Sequence, residues 1–224
     1  MNKLKVLSLS AAVAGALTSG AAMAELTGNI GVMSNYLWRG VTQTSDSAAI
    51  SGGLDYSHAS GAYAGTWVAE VSSLNGESGQ YEMDLYAGYA AEAGDISYDV
   101  GLIKYVYPID DGGTVQVDAD FAELYASVGF GPATFYVAST FAKEGDPQSE
   151  KDLYYSLSAD FEVSGLALSA LYGDYDFDDP ASTDYSHYSL SLSKDDFTFA
   201  YEQNDVTGDD DMQFVASWGK EFSF

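Results

Sequence analysis

From Glu25 to Phe224 apolar and polar residues alternate with a period of two, segment after segment. That period sends successive side chains to opposite faces of a strand, so each segment predicts a strand with one apolar face. Twelve such segments lie near 26–39, 50–57, 62–71, 81–90, 96–107, 119–130, 133–141, 153–161, 166–174, 186–193, 197–204 and 212–224. In the eighth, Leu153, Tyr155, Leu157, Ala159 and Phe161 oppose Tyr154, Ser156, Ser158 and Asp160. In the last, Met212, Phe214, Ala216, Trp218, Phe222 and Phe224 oppose Gln213, Ser217, Gly219, Glu221 and Ser223. No segment beyond Glu25 carries the helical period.

The connections between these segments alternate as well. Those after even-numbered segments are short, as at 57–61, 91–95, 131–132, 162–165 and 194–196. Those after odd-numbered segments are longer and more acidic, at 40–49, 72–80, 108–118, 142–152, 175–185 and 205–211. Short turns at one end and long loops at the other are the asymmetry of outer-membrane barrels. A soluble β-sandwich has no physical reason to sort its loops by length. The predicted fold is therefore all-β: a closed antiparallel outer-membrane β-barrel of about 12 strands, an up-and-down meander with both termini at the short-turn, periplasmic end. Closure satisfies every backbone group without a transmembrane helix, and no apolar run after Glu25 is long enough for one.

The start of the chain fits the same route. Asn2-Lys3-Leu4-Lys5 is basic, Val6 to Leu17 is apolar or small, and Ala22-Met23-Ala24 has the form of a cleavage site. Residues 1–24 are expected to be a cleaved signal peptide and 25–224 one transmembrane β-barrel. The chain has no cysteine, which excludes disulfides, thiolate metal sites and thiol nucleophiles. Its formal net charge is −26, or −28 once Lys3 and Lys5 are removed. Such a chain repels nucleic acid and attracts cations. With 46% hydrophobic and 14% aromatic residues it is nonetheless a folding chain.

An apolar face turned to lipid leaves the other face to line the lumen. The candidates for that lining are Asn29, Asn35 and Arg39 from the first segment, with Asp55, Glu70, Glu82, Asp84, Asp99, Glu123, Asp160, Glu202 and Glu221. Arg39 is the only arginine, and Lys104 falls on the apolar face of its segment. A water-filled passage lined in this way favours cations by electrostatic focusing. Alternatively the carboxylates and hydroxyls bond one another and fill the interior, since a lumen of this size lies between filled and open. Arg39 is open to two readings as well, a constriction residue near the outer mouth or a structural ion pair. Trp38, Tyr56, Tyr63, Trp67, Tyr81, Tyr89, Phe130, Phe161, Phe197, Trp218 and Phe222 are expected in interfacial aromatic girdles.

Other candidate chemistry is sparse. Asp174, Asp176, Asp178 and Asp179 begin like a calcium loop, but Asp179 stands where glycine is required and Tyr185 where glutamate is required. Asp209-Asp210-Asp211 has no supporting spacing, so no cofactor or metal is assigned and both clusters read as solvated charge. His58 lies in a short turn between Ser57 and Ser60. His187, near Asp184 and Ser186, is the one place where a hydrolase could hold a base against an acid. Ser217, Gly219, Phe222 and Phe224 fit the terminal pattern read by the outer-membrane assembly machinery. The expected partners are thus that machinery, outer-membrane lipid and lipopolysaccharide, and small cationic or neutral solutes. An oligomer interface and a lipid-facing monomer surface carry the same pattern.

The opening run Gly28-Asn29-Ile30-Gly31-Val32-Met33-Ser34-Asn35-Tyr36-Leu37-Trp38-Arg39-Gly40-Val41-Thr42-Gln43-Thr44 is followed by Gly52 to His58 and then Gly61-Ala62-Tyr63-Ala64-Gly65-Thr66-Trp67. Together they resemble the proteobacterial TorF-type porin family, outer-membrane proteins formerly of unknown function. The resemblance covers about the first third of the chain after Glu25. It implies an outer-membrane barrel assigned as a porin, with poorly defined substrates and no catalytic residue. Asn35, Tyr36, Arg39, Gly40, Tyr63, Gly65 and Trp67 are its motif positions, and it gives them no role. The function expected from all this is a passive channel for small solutes, not an enzyme. The alternatives are a non-conducting structural or adhesive barrel and an outer-membrane hydrolase.

Overall fold

The computed structural model describes residues 24–72, 80–108, 120–144, 151–209 and 211–224. The expected signal peptide lies outside these residues except for Ala24. So do nearly all of the loops at 72–80 and 108–118, residues 145–150 of the loop at 142–152, and Asp210.

The strands are β1 (Glu25–Met33), β2 (Leu37–Trp38), β3 (Val41–Thr42), β4 (Ala49–Ser57), β5 (Ala62–Val71), β6 (Gln80–Ala93), β7 (Ile96–Val106), β8 (Phe121–Phe130), β9 (Ala133–Lys143), β10 (Leu153–Val163), β11 (Leu166–Asp176), β12 (Tyr185–Lys194), β13 (Phe197–Asn204) and β14 (Gln213–Ser223). Twelve of them, β1 and β4 to β14, form a closed antiparallel barrel in which sequence neighbours pair throughout. β1 closes the ring by pairing with β4 on one side and β14 on the other, in register at Asn29↔Glu221 and Met33↔Ser217. The amide of Phe224 extends this seam by donating to the Leu26 carbonyl at 3.0 Å.

Lipid exposure explains which face is apolar. Ile50, Leu102, Leu124, Leu157, Leu190 and Phe199 stand exposed on the outer wall, where a soluble protein would place polar groups. Aromatic side chains mark both rims of this band. Tyr56, Tyr89, Phe130, Phe161, Phe197 and Phe222 lie toward the short turns, and Tyr81, Phe141, Tyr155 and Phe214 toward the long loops. The turns are tight for local reasons. Ser164 and Gly165 both adopt positive φ (56° and 77°), as a two-residue hairpin that follows the sheet twist requires.

Two expectations are corrected. The segment at 26–39 is not one strand: β1 ends at Met33, and the chain turns into the barrel. There β2 and β3 pair as a short hairpin, Leu37↔Thr42 and Trp38↔Val41. The strand period continues past Met33 because Leu37 and Trp38 do form a strand, but of another sheet. In β5 the faces are reversed from those expected. Ala69 and Val71 are buried inside with Trp67 partly buried, while Glu70, paired with Tyr81, faces outward and is exposed. Trp38, Tyr63 and Trp67 are therefore lumenal and not part of a girdle.

The hydrophobic core sits in the lumen. Three clusters line it: one around Met33, Leu37 and Val71, a second around Tyr105 and Tyr125, and a third around Tyr154 and Tyr185. Trp38 packs against all three. The inserted hairpin thus supplies what twelve inward-facing strands leave unfilled at this barrel size.

Candidate functional site

Residues 34–48 carry the hairpin inward, and local chemistry fixes its shape. The Asn35 side-chain oxygen accepts from the Thr42 hydroxyl (2.7 Å) and the Thr44 hydroxyl (2.8 Å). Thr44 Oγ1 also accepts from the Tyr36 amide at 3.1 Å, and the Gln43 amide donates to the Tyr36 carbonyl at 2.7 Å. At the tip, Arg39 (φ 50°) and Gly40 (φ 82°) are consecutive left-handed residues between Trp38 and Val41. That is the backbone of a type I′ hairpin turn, which glycine tolerates and arginine adopts only when its surroundings compensate.

Those surroundings are a buried cage. Arg39 is 4% exposed and grips Glu123 of β8 with two bonds, Nη1 to Oε1 at 2.8 Å and Nη2 to Oε2 at 2.6 Å. Its guanidinium lies over Trp38 (4.3 Å), Tyr154 (4.1 Å) and Tyr175 (5.2 Å). The planar fork satisfies the carboxylate at both oxygens while the rings hold the charge, a combination lysine cannot reproduce. Of the two readings of Arg39, the structure shows the ion pair. Gly40 packs against β12 so closely that an added Cβ would lie 2.6 Å from His187 Cβ, and its carbonyl accepts from Asn204 Nδ2 at 2.8 Å.

Around this tip the lumen is acidic. Glu82, fully buried, accepts from the Tyr36 hydroxyl (2.7 Å) and the Tyr107 hydroxyl (2.5 Å). Asp84 and Glu202 are nearly as buried, and each keeps one oxygen without a hydrogen-bond partner. Nearer the short turns, Asp55 accepts from Asn29 Nδ2 (3.3 Å) and from the Tyr86 hydroxyl, and Asp99 accepts from the Tyr63 hydroxyl (2.7 Å). Asp160 shares the inward face with Ser169, its partner in β11.

Of the twelve lumen-lining candidates, Asn29, Asp55, Glu82, Asp84, Asp99, Glu123, Asp160 and Glu202 thus face inward from the wall. Asn35 and Arg39 are inside but on the hairpin, and Glu70 is outside. Glu221 faces inward beside Asn29 at the seam. Sequence reasoning did not name Tyr107, Tyr154, Tyr175 or Asn204 among the lining residues, and it weighed His187 only as a hydrolase base. The signal for His187 and Gly173 was their polar or small character within a strand rhythm, and His187 packs against Gly173 and against Gly40 of the hairpin tip.

The hydrolase arrangement does not form. Asp184 accepts from the Phe177 amide at 2.9 Å, the Ser186 hydroxyl donates to Asp205 at 3.0 Å, and His187 meets Tyr154 at 3.0 Å. His58 contacts Ser60 Oγ at 2.9 Å within its turn. In the acidic loop, Asp179 takes the Ala181 amide as a local turn, and no group of three metal-ligating side chains converges among the described residues.

Wall, girdles and lumen together define a transmembrane β-barrel of the porin-like outer-membrane class. The chain belongs to the family described as "Bacterial protein of unknown function (Gcw_chp)", whose model matches residues 18–219. Among curated proteins no sequence matches. The KdgM porin shares the fold with a TM-score of 0.55 at 9% identity, over 89% of this chain and 99% of that one. The KdgM porin in complex with disordered oligogalacturonate gives 0.53 at 10% identity, over the same shares. A structure from work on in-meso crystallization of membrane proteins gives 0.56 at 11% identity, over 89% of this chain and 84% of that one. Identities this low carry the fold and nothing beyond it.

Proposed function

We propose that the protein is a porin, a passive outer-membrane channel for small solutes that prefers cations. The observation that carries this reading is the charge of the lumen. Asp55, Asp84, Asp99, Asp160 and Glu202 face it, and its one mid-lumen cation among the described residues, Arg39, is already neutralised by Glu123. Anions entering such a passage meet a negative potential that Arg39 does not offset, and cations are concentrated in it. The inserted hairpin narrows the path, so conductance is expected to be small.

One observation favours the non-conducting alternative: Glu82, Glu123, Tyr125 and His187 are all 2% exposed or less. Planar-bilayer recordings of refolded protein separate the two. The expected result is a small conductance whose reversal potential in a salt gradient shifts toward the cation equilibrium, with larger conductance after replacing residues 35–47 by a short Gly/Ser linker. Silence of both forms would establish the structural barrel, and chloride preference would remove the role given to the carboxylates. The lipid-facing wall is assigned to outer-membrane lipid and lipopolysaccharide. Ser217, Gly219, Phe222 and Phe224 are assigned to recognition by the assembly machinery.

A further inference from the structure

Above the hairpin, at the long-loop end of the barrel, lies a cavity of about 550 Å3. Its floor is Trp38. One wall is Tyr175, Phe177 and Tyr185, with Tyr175 and Tyr185 stacked 5.6 Å apart at 4° and Tyr175 to Phe177 at 4.4 Å. Phe121 and Tyr107 stand on another side, Phe121 with its centroid 5.9 Å from Trp38. The charged residues of the lining are Asp152, Asp184 and Lys143, and Lys143 is engaged with Asp152 at 3.5 Å.

We propose that this vestibule binds organic cations with an apolar body, of the alkylammonium type. Aromatic faces carry negative potential and attract a cation that sheds its water readily, and the carboxylates outnumber the lysine around them. The layer beneath already does this within the chain, since Trp38 and Tyr175 hold the Arg39 guanidinium at 4.3 and 5.2 Å. Glu123 cancels that guanidinium through two hydrogen bonds, so a second cation above the rings does not face an uncompensated charge. Inorganic cations are too strongly hydrated to gain from the rings, and anions are opposed by the carboxylates. A neutral molecule of the same shape gains only the apolar contact. The volume suits a small ligand.

The inference deepens the cation-preferring reading but is measured apart from it. Refolded protein in detergent is titrated calorimetrically with choline and with its neutral isostere 3,3-dimethyl-1-butanol. Choline is expected to bind about tenfold more tightly, the factor a partly desolvated cation–π site supplies. Phe177→Leu, which keeps an apolar side chain without the ring, should remove most of that difference, and Tyr185→Phe, which keeps the ring, should preserve it. Folding of each variant is checked by its heat-modifiable gel mobility. Equal binding of the two probes, or no choline binding at 100-fold molar excess over a millimolar protein sample, overturns the site. A silent channel that binds choline overturns the porin reading alone, and a conducting channel that does not bind it overturns this one alone.

Discussion

Arg39 shows how one side chain can justify an unfavourable backbone. Its positive φ is tolerated because the turn places the guanidinium on Glu123 and among three rings. Removing one member of such a buried pair leaves the other charged and unsolvated, so Arg39→Ala is expected to cost about 3–5 kcal/mol in denaturant unfolding of the refolded barrel. The double replacement Arg39→Met with Glu123→Leu should recover most of that loss, and failure to do so would show that the rings and not the charge hold the tip. Gly40→Ala is a second measure. It combines a φ of 82° with a clash on His187, and it should destabilise by about 1–3 kcal/mol. The importance of Asn35, Tyr36, Arg39 and Gly40 was legible as a motif, but their role was not. Nothing local in Asn35-Tyr36-Leu37-Trp38 distinguishes a strand of the wall from a strand folded inside it, and the Arg39-Gly40 pair is a weaker turn signal than Asn-Gly.

Among the elements, the wall strands were legible because lipid enforces a clean alternation. β10 keeps it over its full length, and β14 departs from it only at Val215, which points inward, and Lys220, which points outward. β5 escaped because its outward residues are small, Ala62, Ala64 and Thr66, while its largest side chains, Tyr63 and Trp67, point into the lumen. Hydrophobicity then names the wrong face, as the edge-on contact of Tyr36 with Trp67 at 5.3 Å makes plain. Single cysteines introduced into this cysteine-free chain test the orientation. A cysteine at 68 or 70 should react with a lipid-soluble maleimide from the bilayer side, and one at 65 or 69 should be shielded. The reverse pattern would overturn the register of β5 with β6.

At the scale of the molecule, strand number, closure and loop asymmetry followed from pattern, and the filling of the lumen did not. A lumen's contents depend on contacts between residues far apart in sequence, such as Arg39 with Glu123 and Asn204 with Gly40. The terminal pattern makes a separate prediction. The Phe224 ring lies over Gly28 of β1, 3.1 Å from where a Cβ would stand, yet is 78% exposed. Phe224→Ser should therefore lower the amount of barrel delivered to the outer membrane in cells severalfold while changing the unfolding free energy of refolded protein by no more than about 1 kcal/mol. A large loss of stability in vitro would assign Phe224 to the seam instead of to delivery.

The root of the hairpin crosses the join of the barrel. The Ser34 amide donates to the Ala216 carbonyl at 2.9 Å, the Ala216 amide donates back to the Ser34 hydroxyl at 3.0 Å, and Asn35 reaches Gln213 at 3.4 Å. All three bonds need β14 beside β1. A half-zipped intermediate lacks the part of the hairpin's anchorage that β14 supplies, and the narrowed path of a finished one is complete only when its last strand arrives. Dye leakage from vesicles should accordingly show no transient burst as the protein inserts, whereas a form lacking residues 35–47 should leak from the instant its ring completes.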